Sequence, residues 1–225
     1  MTVVAGVDGY KRGWVAIVLE NGTFSEAHVF SAIEELLTGL AVASAIGIDI
    51  PIGLPTSARR AADAEAQAFV GPRRSSVFPT PPRAVIEAET YEEARRVAKE
   101  QFGIGVSSQA YRGLRAKILE VDAVIGDEDR LIEVHPEVSF RALAGHDLQY
   151  SKRTWNGQME RRRLLETVDI ELPDDLAEAA VVPVDDVLDA AVGAWTAARY
   201  EEGIAQSLPD PPELDNKGRA VAIWY

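Results

Sequence analysis

Four aspartates carry the most specific chemistry in this 225-residue chain. Asp8 ends the apolar run Thr2–Asp8, and Asp49 ends Ala45–Asp49. A carboxylate at the tip of a buried strand is costly to desolvate without a partner. If the two strands are neighbours, both side chains meet at one edge of the sheet. Asp186 and Asp189 stand three apart in Asp185-Asp186-Val187-Leu188-Asp189-Ala190, so they share a helix face. Like charges at that spacing repel, and a bound cation is a natural reason to gather them. An oxygen-only ligand set, in a chain without cysteine, suits Mg²⁺ or Mn²⁺ rather than zinc. Acids also favour the first turn of any helix, so no one of the four is diagnostic. Their combination is.

These side chains need elements to position them. Thr2–Asp8, Gly13–Leu19 and Thr23–Phe30 read as three strands, the last two joined by Asn21-Gly22, a strong hairpin signal because both residues tolerate positive φ. Ser31 and Glu34 form a capping box that opens a helix. Ala45–Asp49 is a fourth strand, cut off by Pro51, Gly53 and Pro55. A strand–helix–strand crossover of this kind favours a parallel relation between the strands it joins. Residues 57–123 read as a mostly helical insertion, with helices over Arg59–Phe69, Thr90–Phe102 (Thr90 and Glu93 as a second capping box) and Ser107–Val121. The four prolines and one glycine of Gly71–Pro82 forbid regular structure there, and an arginine-bearing loop of that length is more often functional than idle. Leu131–His135 is a fifth strand, and Pro136 begins a helix to about Ala144. Asn156–Val168 and Asp185–Glu202 are the last helices. Leu208–Lys217 is proline-rich and irregular, and Val221–Tyr225 is a candidate closing strand. The expectation is one α/β domain over residues 1–225 with the insertion inside it.

Glu133, His135 and Glu137 offer a second polar cluster. The first two alternate to the same strand face, His135 could orient a carboxylate or bind phosphate, and Glu137 sits in the first turn of the next helix. Candidate phosphate partners are Arg73, Arg74 and Arg83 in and just after the proline-rich loop, Lys117, and Arg161–Arg163, since arginine pairs bidentately with phosphate. The three consecutive arginines cannot all face one way on a helix. Phe78, Tyr111 and Trp155 are the candidate stacking platforms, although Phe78, between prolines, reads first as a loop anchor into the core.

The stretches GVDGYKRGWVAIVL, IGIDIPIGLP, RRSSVFPTPPR, EVHPEVSFRAL and DDVLDAAVGAW resemble those of the family catalogued as domain of unknown function 429, over nearly the whole chain. The resemblance implies a nuclease-like protein of RNase H-like fold: a mixed five-stranded sheet flanked by helices, with the helical insertion between strands 4 and 5. More distantly, the D-x-x-D-A of Asp186, Asp189 and Ala190 is similar to the last-helix motif of RuvC-type junction resolvases. In that comparison Asp8 matches the acid of the first strand, and Asp49 falls where the fourth strand carries Asp or Glu. The implied activity is metal-dependent hydrolysis of phosphodiester bonds, in which two cations activate water and stabilise the leaving oxygen. On this reading Asp8 bridges the ions, and Asp49, Asp186 and Asp189 complete their shells.

Composition bounds these expectations. The formal net charge of −13 argues against a nucleic-acid partner, because phosphate binding needs a positive surface. The distribution reverses part of that argument: residues 59–117 carry eleven basic against seven acidic side chains, and residues 150–163 five against one. Nucleic acid or another phosphodiester therefore stays open as a partner, with binding local and metal-assisted. No run approaches ~18 apolar residues, so no membrane span is expected. The N-terminal stretch lacks a basic signal-peptide region, and zero cysteine makes a cytoplasmic location the default expectation. No phosphate loop, serine elbow or histidine pair at metal spacing is present. Two other classes compete. Val7-Asp8-Gly9 followed by a hairpin resembles the first phosphate loop of the actin–hexokinase superfamily, which needs two copies of the core where this chain holds one. The third class is a non-catalytic module. The apolar Ala222–Tyr225 leaves a homodimer through strand pairing open.

Overall fold

The computed structural model describes residues 1–215 and 218–225, with backbone alone at residues 109 and 110. Strands β1 (Val3–Tyr10), β2 (Gly13–Glu20) and β3 (Thr23–Phe30) form an antiparallel meander. Its second turn places Asn21 at φ 51° and Gly22 at φ 86°, the conformation a two-residue hairpin demands. Helix α1 (Ile33–Gly39) crosses to β4 (Ala45–Ile48), which pairs in parallel with β1, and β5 (Leu131–Glu133) pairs in parallel with β4. The order β3-β2-β1-β4-β5, flanked by helices, is the RNase H-like topology.

Between β4 and β5 lie α2 (Ala61–Phe69), a 3-10 turn over Gly71–Ser76, α3 (Arg83–Glu87), α4 (Tyr91–Phe102) and α5 (Ser108–Val124). After β5 come α6 (Pro136–Ala144), α7 (Trp155–Glu166), a second 3-10 turn over Ala177–Val181, and α8 (Val184–Glu201). Proline opens α6 because its missing N–H is needed by no one in a first turn. A hairpin of β6 (Ser207–Leu214) and β7 (Ala220–Trp224) follows, tied to the main sheet by a parallel bridge between Val134 and Trp224.

Several local expectations are corrected. Half of the Gly71–Pro82 segment is the 3-10 turn rather than irregular chain. Leu208–Leu214 is a strand: among the described residues β6 pairs with β7 alone, and its three prolines fall in the register shift between Leu208 and Glu213, where no ladder N–H is needed. The rest of that expectation, at residues 216 and 217, lies outside the described residues. The closing strand runs Ala220–Trp224 rather than Val221–Tyr225 and pairs with β6. Ala32, which has no side-chain acceptor, is the N-cap of α1, and Glu35 rather than Glu34 accepts from the Ser31 N–H and hydroxyl at 2.9 and 2.7 Å. At α4 the Thr90 hydroxyl does accept from the Glu93 N–H, but the Glu93 carboxylate reaches the N–H of Glu89.

Strand alternation divides the core in two. Val3, Ala5 and Val7 of β1, with Ile46 and Ile48 of β4, face α1 and α5. Val4, Gly6 and Asp8, with Ala45 and Gly47, face the opposite side, where α6, α7 and α8 pack. There α8 lies against backbone. A Cβ on Gly6 would fall 2.0 Å from the Ala190 carbonyl oxygen and from the Ala194 nitrogen, and one on Gly47 would fall 2.5 Å from the Gly193 oxygen. Ten of the eighteen residues of α8 are buried, as expected of a helix enclosed by core rather than laid on a surface.

Gly6→Ala should therefore destabilise the fold by about 3 kcal/mol or more, since the nearest atoms are helix backbone and cannot step aside. Gly105→Ala, whose added carbon meets nothing within 4 Å, should stay within about 0.5 kcal/mol of the parent. Urea titrations of the two variants compare them, and equal midpoints would refute the close-packing argument.

Candidate metal centre

The parallel register of β1 and β4 brings the first two acids together. Val7 pairs with Ile48, and the Asp49 N–H donates to the Val7 carbonyl at 3.0 Å, one step beyond the last ladder pair. Asp8 and Asp49 thus stand side by side on the α8 face. On α8, Asp189 precedes Gly193 by one turn, so the contact of Gly193 with Gly47 sets Asp189 over the strand tips. Carboxylate oxygens of Asp8, Asp49 and Asp189 all lie within 4.8 Å of one another. Asp8 and Asp189 are buried and Asp49 is half-buried. Asp186, a turn earlier and half-buried, stands outside that mutual reach but close enough for its charge to act on Asp8 and Asp49.

One lysine answers this charge. The Lys152 ammonium, in the segment between α6 and α7, donates to Asp189 Oδ2. Its neighbours Asp189, Asp49 and Asp8 hold it protonated, pushing its pKa above the usual lysine value against the effect of burial. A single ammonium is not enough. Burial, aided by the neighbouring acids, pushes Asp8 well above the ordinary aspartate range. Burial likewise raises Asp49 and Asp189 to about 6, with Lys152 opposing, and raises Asp186 to about 6 with help from Asp185. Asp189 Oδ1 is buried without a hydrogen-bond donor, which in a low-dielectric interior is costly. Glu137, at the first turn of α6, is buried against the same group: Oε1 accepts from Arg161 Nη2 at 2.5 Å, and Oε2 has no donor. With one orphaned carboxylate oxygen on Asp189 and another on the adjacent Glu137, the three converging aspartates could hold a metal ion.

The remaining sequence-level candidates are distributed differently. Glu133 does not join the cluster, because Leu131 two residues earlier faces the α1–α5 core and Glu133 follows it to that side. There its carboxylate accepts from Arg60 at 2.5 and 2.6 Å and from the Ile52 N–H at 2.7 Å. His135 lies past the end of β5; its Nε2 contacts the Ser76 carbonyl at 3.4 Å, its Nδ1 is buried without a partner, and burial lowers its pKa. Arg83 is taken up by Asp122 at 2.6 and 2.8 Å. Lys117 lies 3.8 Å from the Trp14 ring centre and donates to the Gly13 carbonyl, near enough to Asp8 to feel its charge. Arg73 makes one long contact, 3.4 Å, with the Leu148 carbonyl, and Arg74 is exposed. Of the three consecutive arginines, Arg161 is fully buried, Arg162 pairs with Glu166 and Asp174, and Arg163 is exposed. Sequence reasoning passed over Lys152. Its only signal was membership of the basic segment 150–163.

Among the described residues no helix is long and apolar enough to cross a membrane. A family model described as "Protein of unknown function (DUF429)" matches residues 6–214, and the chain belongs to that family. Neither the curated proteins nor the solved structures compared with the chain match it.

The raised carboxylates have a consequence for stability. An unfolded aspartate titrates near its ordinary 3.8, whereas Asp49, Asp186 and Asp189 hold their protons to about 6 in the fold. As pH rises through this interval the unfolded chain releases protons first, so these groups favour the fold below it and weaken it above. The melting temperature of metal-free protein should fall from about pH 4 to pH 7 relative to that of Asp189→Asn. Millimolar Mn²⁺ should raise it strongly at pH 7 and little at pH 4.5. A pH-independent difference between the two proteins, or an equal effect of Mn²⁺ at both values, would contradict this account.

Proposed function

From that membership and this geometry we propose that the protein is a divalent-cation-dependent phosphodiesterase of nuclease type, with Asp8, Asp49 and Asp189 holding Mg²⁺ or Mn²⁺ and Asp186 completing the set. The observation that carries the reading is the convergence of three carboxylates within 4.8 Å, one of them with a buried oxygen that no donor reaches. Ions held there supply activation of the attacking water and neutralisation of the leaving oxygen.

The protein's own groups do the positioning. Strand register fixes Asp8 and Asp49, and close packing of α8 fixes Asp189. Lys152 holds one oxygen of Asp189 and leaves the other free to bind. Arg161, buried and also bonded to the carbonyls of Gly157 and Tyr150, orients Glu137 at the edge of the group. Such outer contacts restrict a ligand to its binding orientation. The mouth of the site opens past Asp49, the half-buried member, which also lines an adjoining cavity.

The Lys152–Asp189 pair supports a second reading, a non-catalytic module whose acids are answered by lysine alone. The two readings separate on one set of variants. Under the first, Asp8→Asn and Asp189→Asn lower Mn²⁺-dependent hydrolysis of bis(p-nitrophenyl) phosphate by more than about 100-fold. The same substitutions raise the melting temperature of metal-free protein at pH 7.5, because they remove like-charge repulsion. Parent protein with no Mn²⁺-dependent hydrolysis and no thermal response to Mn²⁺ would leave only the module.

A further inference from the structure

Next to the acidic cluster lies a cavity of about 580 Å³, a volume suited to a small ligand or one or two units of a chain. Asp49, Glu137 and Lys152 line it on the cluster side, and Arg73, Arg153 and Phe78 line it elsewhere. Phe78 is not the core anchor its sequence context suggests. Val77 takes that role at 3 % exposure, while Phe78 stands 56 % exposed.

The exposed ring is held on a fixed base. The Val77 carbonyl accepts from Gln67 Nε2 at 2.9 Å, and the Thr80 N–H and hydroxyl donate to the buried Asp63 carboxylate at 2.6 and 3.1 Å. Asp63 is itself held by Arg60. With prolines at 79, 81 and 82, the chain around the ring has little freedom to fold it inward. The other two sequence-level platforms are placed elsewhere: Tyr111 is buried with its hydroxyl on the Ala88 carbonyl, and Trp155, 73 % exposed, lies outside the cavity lining.

The arginines of the cavity are equally unengaged. Arg60, Arg83 and Arg161 are each bound to carboxylates. Among the described residues Arg73 has only its long contact with Leu148, and the Arg153 guanidinium has no partner. The two basic segments of an acidic chain thus meet here, one supplying Arg73 and the other Lys152 and Arg153.

We propose that Phe78 is a stacking platform for the base of an unpaired nucleotide, with Arg73 and Arg153 drawing its phosphate toward the aspartates. The proposal rests on the phosphodiesterase reading and narrows its substrate. A base inside a duplex has both faces covered by its neighbours and cannot lie on the ring, whereas a single strand or a free nucleotide offers one. Aromatic stacking is indifferent to base identity, so the site should accept mixed sequences.

The test is equilibrium binding of four probes to the full chain in Ca²⁺, which takes the same oxygen ligands. They are a mixed-sequence single-stranded DNA oligonucleotide, its duplex, an abasic strand of equal length, and thymidine 5′-monophosphate. The single strand should bind more tightly than the duplex and the abasic strand. Phe78→Ala should weaken the single strand by about 5- to 100-fold and leave the abasic strand unaffected, and Phe78→Trp should retain binding. If the monophosphate matches the strand, the platform holds and a free nucleotide is its ligand. Equal binding of duplex or abasic strand, or no loss in Phe78→Ala, overturns the platform. The thermal response to Mn²⁺, measured separately, should be the same in parent and Phe78→Ala. Its absence in both would overturn the metal reading, while base-dependent binding would stand or fall on its own.

Discussion

Gly6, Gly47 and Gly193 let the backbone of α8 rest on the backbones of β1 and β4, and the rest of the site follows from that approach. A helix held off the sheet by ordinary side chains sits ~10 Å from it. Here three hydrogens stand where side chains would be, and Asp189 is lowered to the level of the strand tips. The same helix fills one half of the core with Val187, Leu188, Ala191 and Val192. Packing of the fold and assembly of the acids are therefore one event: whatever seats the helix also seats the carboxylate.

The acids themselves work against that packing. Asp8 and Asp189 are buried among their own kind, with the Lys152 ammonium paired to Asp189 for relief. Elsewhere the protein treats buried charge with care. Arg60 is enclosed by Glu133, Asp63 and the Ile52 carbonyl. A chain that satisfies that buried ion so fully, yet leaves Asp189 Oδ1 and the neighbouring Glu137 Oε2 without a donor, is under-neutralised at the acidic cluster for a reason other than stability. Local conflict of this kind is where function is expected to reside.

Much of this was legible in the residues. Asn21-Gly22 marked its hairpin, and period-two alternation placed Asp8 and Asp49 at neighbouring tips once the crossover made their strands parallel. The D-x-x-D spacing put Asp186 and Asp189 on one face, but only the depth of α8 separates them into a clustered residue and a flanking one. Alternation says which residues share a face and not which face that is, so the side of the sheet that Glu133 takes was not legible. Lys152 reaches Asp189 through the path of an irregular segment, which no periodicity encodes. Proline content hid β6, since composition does not distinguish an edge strand, where prolines are tolerated, from a loop. Phe78 was read first as a loop anchor from its place between prolines, whereas its neighbours Val77 and Thr80 hold the backbone and leave the ring outside.

The separation of Asp49 from Asp189 along the chain also has a meaning in time. At ordinary translation rates of ~5–20 residues per second, on the order of ten seconds pass between synthesis of the second acid and synthesis of the third. During that interval β1 to β4 can pair, yet the helix that brings Asp189 has not left the ribosome. Three carboxylates that repel one another are therefore never required to find each other in a loose chain. Two wait on a formed sheet edge, and the third is delivered by a helix whose own burial drives it home. The acidic cluster remains incomplete until α8 has been made and seated.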